Sequence, residues 1–192
     1  MPPRTVAAAE DLARHLLASD HERLAHSTAV AAQARVLTAA VRPDQAPLLV
    51  AAAWLHDLGY HATLAGTGFH PVDGARHLRR TGWPQAVADL VAHHSGSRFV
   101  AHARDLDDAM TPFAFEEDEL SDALTVADQT AGPGGRLMSV PERLDDMLVR
   151  HGEDSPNARA HHDREPYILA SAHRVAGRLT AAGVDEARLR VL

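Results

Sequence analysis

The sequence predicts an all-α protein folded as a single compact helical bundle, and three observations carry that prediction. Apolar residues make up 45% of the chain but aromatics only 4%. Most of the apolar residues are Ala, Leu and Val, which suit closely packed helices, whereas sheets draw on β-branched and aromatic side chains. Apolar positions recur with a 3.6-residue period in one segment after another, and no segment shows the alternation of a half-buried strand. At 192 residues the chain is long enough for a sizeable core, and a single domain spanning 1–192 is expected.

Val6 to Ala18 reads as the first helix. Asp20 is a predicted N-cap for a second, His21 to Val41, stopped by Pro43. Its inward stripe runs through His26, Val30, Gln33 or Ala34, Leu37 and Val41, so His26 faces the core. Asp44 and Pro47 open a third helix that runs to Leu58 and stops at Gly59. The Gly-rich loop His61 to Phe69 is short and could border a pocket. His70-Pro71 opens a fourth helix, ending before Gly82. Trp83-Pro84 opens a fifth, with Val87, Leu90, Val91 and His94 along one stripe and His93 at its edge. Phe99 to Arg104 reads as a short helix and the acidic stretch Asp105 to Glu119 as a loop. Glu119 to Thr130 is helical, with Asp128 on its apolar face, and Gly132-Pro133-Gly134-Gly135 stops it. Ser139 to Glu142 caps a helix to about His151. Gly152 to Glu165 reads as a polar connection and Pro166 as the start of a last helix, Tyr167 to Ala182, which Val184 to Leu192 could extend. This C-terminal third offers no ligand constellation and is assigned to packing or subunit contacts.

Composition narrows the function. Cysteine is absent, so disulfides and thiolate metal sites are excluded and any metal must be held by His and carboxylate. The formal charge is −7 and every basic residue is Arg. An acidic chain with scattered Arg and few aromatics is a poor nucleic-acid surface. Met1 to Ser19 does not read as a signal peptide, and no apolar run approaches the roughly 20 residues of a membrane span. A cytoplasmic protein with no membrane partner is expected, with a homodimer as the default assembly.

The chemistry gathers around Trp54-Leu55-His56-Asp57-Leu58-Gly59-Tyr60. A His and an Asp side by side at the end of an apolar run are costly to bury unless each finds a partner. A divalent metal suits both, because neutral imidazole and ionised carboxylate are good ligands. The pair His162-Asp163 lies in a polar stretch and has no such context. Other inward candidates fall on different helices: His26, His70, His93, His94 and Asp128. A bundle can aim such residues at one point. One or two ions are expected, and manganese, iron, magnesium, zinc and nickel all fit these ligand types.

His26, His56-Asp57 and Asp128 form the pattern His…His-Asp…Asp, which resembles the HD-domain superfamily of metal-dependent phosphohydrolases over about residues 20–130. His70-Pro71-Val72-Asp73-Gly74 and His93-His94 resemble elements of its dinuclear branch. The resemblance implies an HD-like metal core, with helices over 139–192 packed on it. It also implies one metal held by His26, His56, Asp57 and Asp128, with Asp57 bridging to a second held by His70, His93 and His94. Tyr60 and Ser95-Gly96-Ser97-Arg98 depart from the cyclic-dinucleotide branch, so cleavage of that substrate is not expected.

The first expectation is hydrolysis of a small phosphorylated substrate by metal-activated water at a centre that includes Asp57. Arg76 and Arg98, the basic residues nearest the ligands in sequence, are candidates for bidentate phosphate contacts. His61, or whichever of His93 and His94 is free of metal, is the candidate proton donor to the leaving oxygen. The same ligand set occurs in the mixed-valent diiron oxygenases of the superfamily, which makes oxygenase the second reading. A non-catalytic nucleotide-sensing module is the third.

Overall fold

A computed structural model describes residues 3–152 and 154–184, with side chains from residue 6 onward. The described residues contain ten α-helices joined by short turns and no β-strand. In chain order these are α1 (Pro3–Leu16), α2 (His21–Val36), α3 (Ala46–Leu55), α4 (His70–Arg80), α5 (Gln85–His93), α6 (Ser97–His102), α7 (Asp107–Met110), α8 (Glu119–Gln129), α9 (Val140–His151) and α10 (Pro156–Ala181).

The centre of the bundle is α3. Every residue from Leu49 to Leu55 is buried, as expected of a helix that is apolar all round. It packs against α1, α2, α5 and α8, so its C-terminal end opens onto the middle of the molecule. The helix stops at Leu55 rather than Leu58, and His56-Asp57 forms the turn that follows. Two glycines make that turn fit. A Cβ on Gly59 would lie 2.0 Å from the His70 carbonyl oxygen and 2.7 Å from the Gly74 amide nitrogen. The turn after α3 thus rests directly on the first turn of α4, with no side chain between them.

Other boundaries follow local chemistry. Asp20 caps α2 by accepting from the Arg23 amide, but the regular helix ends at Val36 and a 3₁₀ turn, Leu37–Ala40, completes the element. Asp118 and Ser121 form a capping box on α8, and Ser139 and Glu142 form one on α9. The segments expected as loops contain a 3₁₀ turn, Ala62–Leu64, and the single-turn α7.

The largest difference lies in α10. It begins at Pro156, behind an N-cap from Ser155, and carries Pro166 in its interior. The proline removes one backbone hydrogen bond. Burial of Tyr167, Ile168, Ala172, Val175 and Leu179 on the same helix outweighs that loss. The helix docks on α6, α8 and α9, and Asp122 fixes it electrostatically. Asp122 is 0% exposed and accepts from Arg174 at 2.6 and 2.8 Å and from Arg178 at 2.9 Å. The extension proposed for the C-terminal tail falls almost entirely on 185–192, outside the described residues.

Candidate metal centre

Five helices or helix ends deliver the centre. His26 comes from the middle of α2, His56 and Asp57 from the end of α3, His70 from the start of α4, His94 from the end of α5 and Asp128 from the last turn of α8. His26, His56 and Asp128 each place a ligand atom within 4.8 Å of the others, and so do His56, Asp57 and His94. His70 completes the second group, its Nε2 lying 3.4 Å from Asp57 Oδ1 and 3.4 Å from His94 Nε2.

The backbone fixes how the imidazoles point. His26 Nδ1 faces the Gly132 carbonyl at 3.2 Å, His56 Nδ1 faces Ala53 at 2.8 Å and His94 Nδ1 faces Val91 at 2.7 Å. A carbonyl only accepts, so each Nδ1 carries the proton and donates. Each Nε2 then presents its lone pair inward, the arrangement of a metal-ligating histidine. As a result His26 Nε2 and His56 Nε2 meet at 3.2 Å, and His26 Nε2 meets Asp128 Oδ1 at 3.0 Å. These are acceptors facing acceptors inside a protein core, and only a cation between them reconciles the geometry. A divalent metal fits this donor set.

Electrostatics agree. Burial alone would raise the pKa of Asp57, but His56, His70, His26 and Arg23 outweigh it and hold the carboxyl far below its usual range. Burial likewise opposes ionisation of Asp128, and His26 and His56 overcome it. Burial pushes His70 well down, and burial with the neighbouring His56 pushes His94 down to about 4, which keeps both neutral. For His26 the pull of Asp128 and Asp57 exceeds the effect of burial and raises its pKa. In the absence of metal, a proton is the cation best placed to fill the first group.

Four of the side chains expected at the site lie elsewhere. His93 turns away: its Nε2 donates to the Phe113 carbonyl at 3.0 Å, and its ring faces a smaller cavity of about 160 Å³ beside Phe115 and Leu120. Adjacent helical residues point about 100° apart, so only one of His93 and His94 can face the cluster. His61 is held by Thr63 Oγ1 at 2.7 Å and does not line the main cavity. Arg76 is exposed on the polar side of α4 with Arg79 and Arg80. The Arg98 guanidinium sits between the rings of Phe99, Phe115 and Tyr167, 4.4, 4.0 and 4.2 Å from their centroids.

Other residues take their places. Arg23 donates to Asp57 Oδ2 at 2.9 Å and lies 3.7 Å from the ring centroid of Tyr60, which stacks on His70 at 4.0 Å. Arg23 is three residues before His26, on the same helix face, so its position was readable from the sequence. Ser95 adopts φ 51°, uncommon for a residue with a Cβ. Its hydroxyl donates to Asp128 Oδ2, and Gln129 Nε2 donates to Ser95 Oγ at 3.1 Å. Above the cluster opens a cavity of about 650 Å³. Its walls include Arg104, and from the C-terminal third Arg143, Arg150 and Arg164. The region assigned to packing alone therefore forms part of the site.

A helical bundle that gathers imidazole lone pairs and ionised carboxylates at its centre has the donor set that could hold a divalent metal. Comparison with known families makes this specific: the HD domain model matches residues 23–131, more than half of the chain, and the chain belongs to the HD-domain family. HD domains bind divalent metals and are typical of metal-dependent phosphohydrolases. No curated protein and no solved structure gives a match. Among the described residues, no helix is long and apolar enough to cross a membrane.

Proposed function

We propose that this protein is a metal-dependent phosphohydrolase that cleaves a phosphate ester of a small metabolite or nucleotide with water. One observation carries the reading: a cluster of ionised carboxylates and inward imidazole lone pairs forms the floor of a cavity lined by five arginines against three carboxylates. Such a cavity favours an anion of small-molecule size.

His26, His56 and Asp128 would hold one ion and His70, His94 and Asp57 a second, with Asp57 facing both groups. Bound metal supplies a water of lowered pKa and neutralises phosphoryl charge. The chain does the rest by positioning. The Nδ1–H to carbonyl bonds keep each Nε2 aimed at the centre. Ser95 and Gln129 fix the Asp128 carboxylate. Arg23, stacked on Tyr60, adds to the effect of His56 and the other imidazoles in keeping Asp57 ionised at the edge of the centre. With no lysine present, the arginine walls and backbone amides are left to meet the substrate's charge.

The test is phosphate release from a panel of phosphomonoesters and phosphodiesters by protein loaded with manganese without oxygen. Turnover that disappears on chelation and returns with metal is the expected result. A diiron oxygenase would use the same six side chains. Iron-loaded protein that consumes oxygen, gives a mixed-valent EPR signal and releases no phosphate would replace the hydrolase reading.

A further inference from the structure

Arg164 stands apart from the other cavity arginines. It lies on α10, outside the segment matched by the family model, and is only 8% exposed. Arg23 is paired with Asp57, and both Arg143 and Arg150 are paired with Asp146. Arg164 and Arg104 have no carboxylate within salt-bridge distance among the described residues, and of these two only Arg164 is buried. Its Nε donates to the Ser95 carbonyl at 2.7 Å and its Nη1 faces the sulfur of Met147. No hydrogen bond from Nη2 is formed among the described residues. Yet the side chain lines the cavity that holds the metal cluster. Burial, offset only in part by the Asp128 carboxylate, pulls its pKa down to about 10, and it remains a cation at neutral pH.

The surroundings are shaped to keep it there. Gly96, at φ 67°, brings the turn after α5 against α10. A Cβ at that position would lie 3.2 Å from Arg164 Cγ and 3.1 Å from Tyr167 Cδ1. The Ser95 carbonyl thus reaches the guanidinium while the Ser95 hydroxyl reaches Asp128. One residue ties the cation to the metal group, at a separation of two hydrogen bonds. A buried, unpaired guanidinium is costly to the fold, and its planar fork matches two oxygens of a tetrahedral oxyanion.

We propose that Arg164 forms, with the metal cluster, a binding site for the substrate's phosphoryl oxygens, supplied by the C-terminal helix to complete the HD core. The proposal rests on the phosphohydrolase reading for its substrate class but concerns anion binding, which needs no turnover. The probe is inorganic phosphate, titrated calorimetrically into manganese-loaded full-length protein. Arg164→Met keeps the length and apolar contacts and removes the charge. Its metal content is expected to stay unchanged, its stability to be equal or higher, and its phosphate affinity to fall roughly tenfold or more. Arg164→Lys keeps the charge without the fork and is expected to lose several-fold. Arg76→Gln, outside the cavity, is expected to change affinity less than about twofold.

Wild-type protein that binds no phosphate, or Arg164→Met that binds it unchanged, overturns the proposal. If Arg164→Met fails to fold, Arg164→Lys decides: unchanged affinity there overturns it equally. Phosphate bound through Arg164 with no ester hydrolysed sinks the hydrolase reading and leaves this site standing. Ester hydrolysis with an unchanged KM in Arg164→Met does the reverse.

Discussion

On the floor of the cavity His26, His56, His94, Asp57 and Asp128 face one another, while on the adjoining wall Arg164 makes no salt bridge among the described residues. Both regions bury ionisable groups, and both are expensive without a ligand. The floor compensates itself in part, because carboxylates and imidazoles set each other's protonation. The wall compensates itself far less, since Asp128 offsets the burial of Arg164 only in part. A third buried charge, Asp122, shows the structural alternative: three contacts from Arg174 and Arg178 pair it fully within the protein. Buried charge paired by protein holds helices together, whereas buried charge left facing a cavity marks where something binds.

The strongest way to break this contrast is Asp57→Ala. It removes the carboxylate proposed to face both metal groups, so bound metal and turnover are expected to fall together. The loss should exceed the roughly 10–100-fold typical of changes to residues that only support a ligand. Elemental analysis alongside turnover checks it, and activity retained in metal-free protein would refute the centre.

His93 and His94 sharpen the contrast at adjacent positions. His94→Ala removes a proposed ligand and is expected to lower bound metal and to cut the rate by more than the roughly 10–100-fold typical of supporting residues, whereas His93→Gln should leave metal stoichiometry unchanged. Equal effects in the two variants would contradict the assignment.

Gly59→Ala tests the contact that places His56-Asp57 beside His70. The new Cβ would meet the His70 carbonyl at 2.0 Å, and a loss of about 3 kcal/mol in urea denaturation is expected.

Asp122→Ala probes the paired charge. It leaves two arginines, each about a third exposed, and a destabilisation of about 2 kcal/mol is expected, below the cost of a fully buried pair because solvent screens them. Stability should fall while metal content holds.

His61→Ala and Arg76→Ala should do least. Both lie outside the cavity, and stability is expected to change by less than about 0.5 kcal/mol, with KM and kcat within twofold.

The sequence by itself determined the helical class, most of the helix starts and the residues that meet on the floor. These were legible because the relevant signals are local: caps, prolines, a 3.6-residue stripe, and polar residues placed where a stripe demands apolar ones. His26, His56, Asp57, His70, His94 and Asp128 each stand on such a stripe or at a helix end. Only the tertiary structure decided between His93 and His94, turned Arg98 into an aromatic cage, and brought Arg164 to the cavity. Arg164 follows His162-Asp163 in a polar stretch, and both of those neighbours are exposed. What buries it is the docking of α10 against Gly96 and α8, contacts between residues far apart along the chain, which no local pattern encodes.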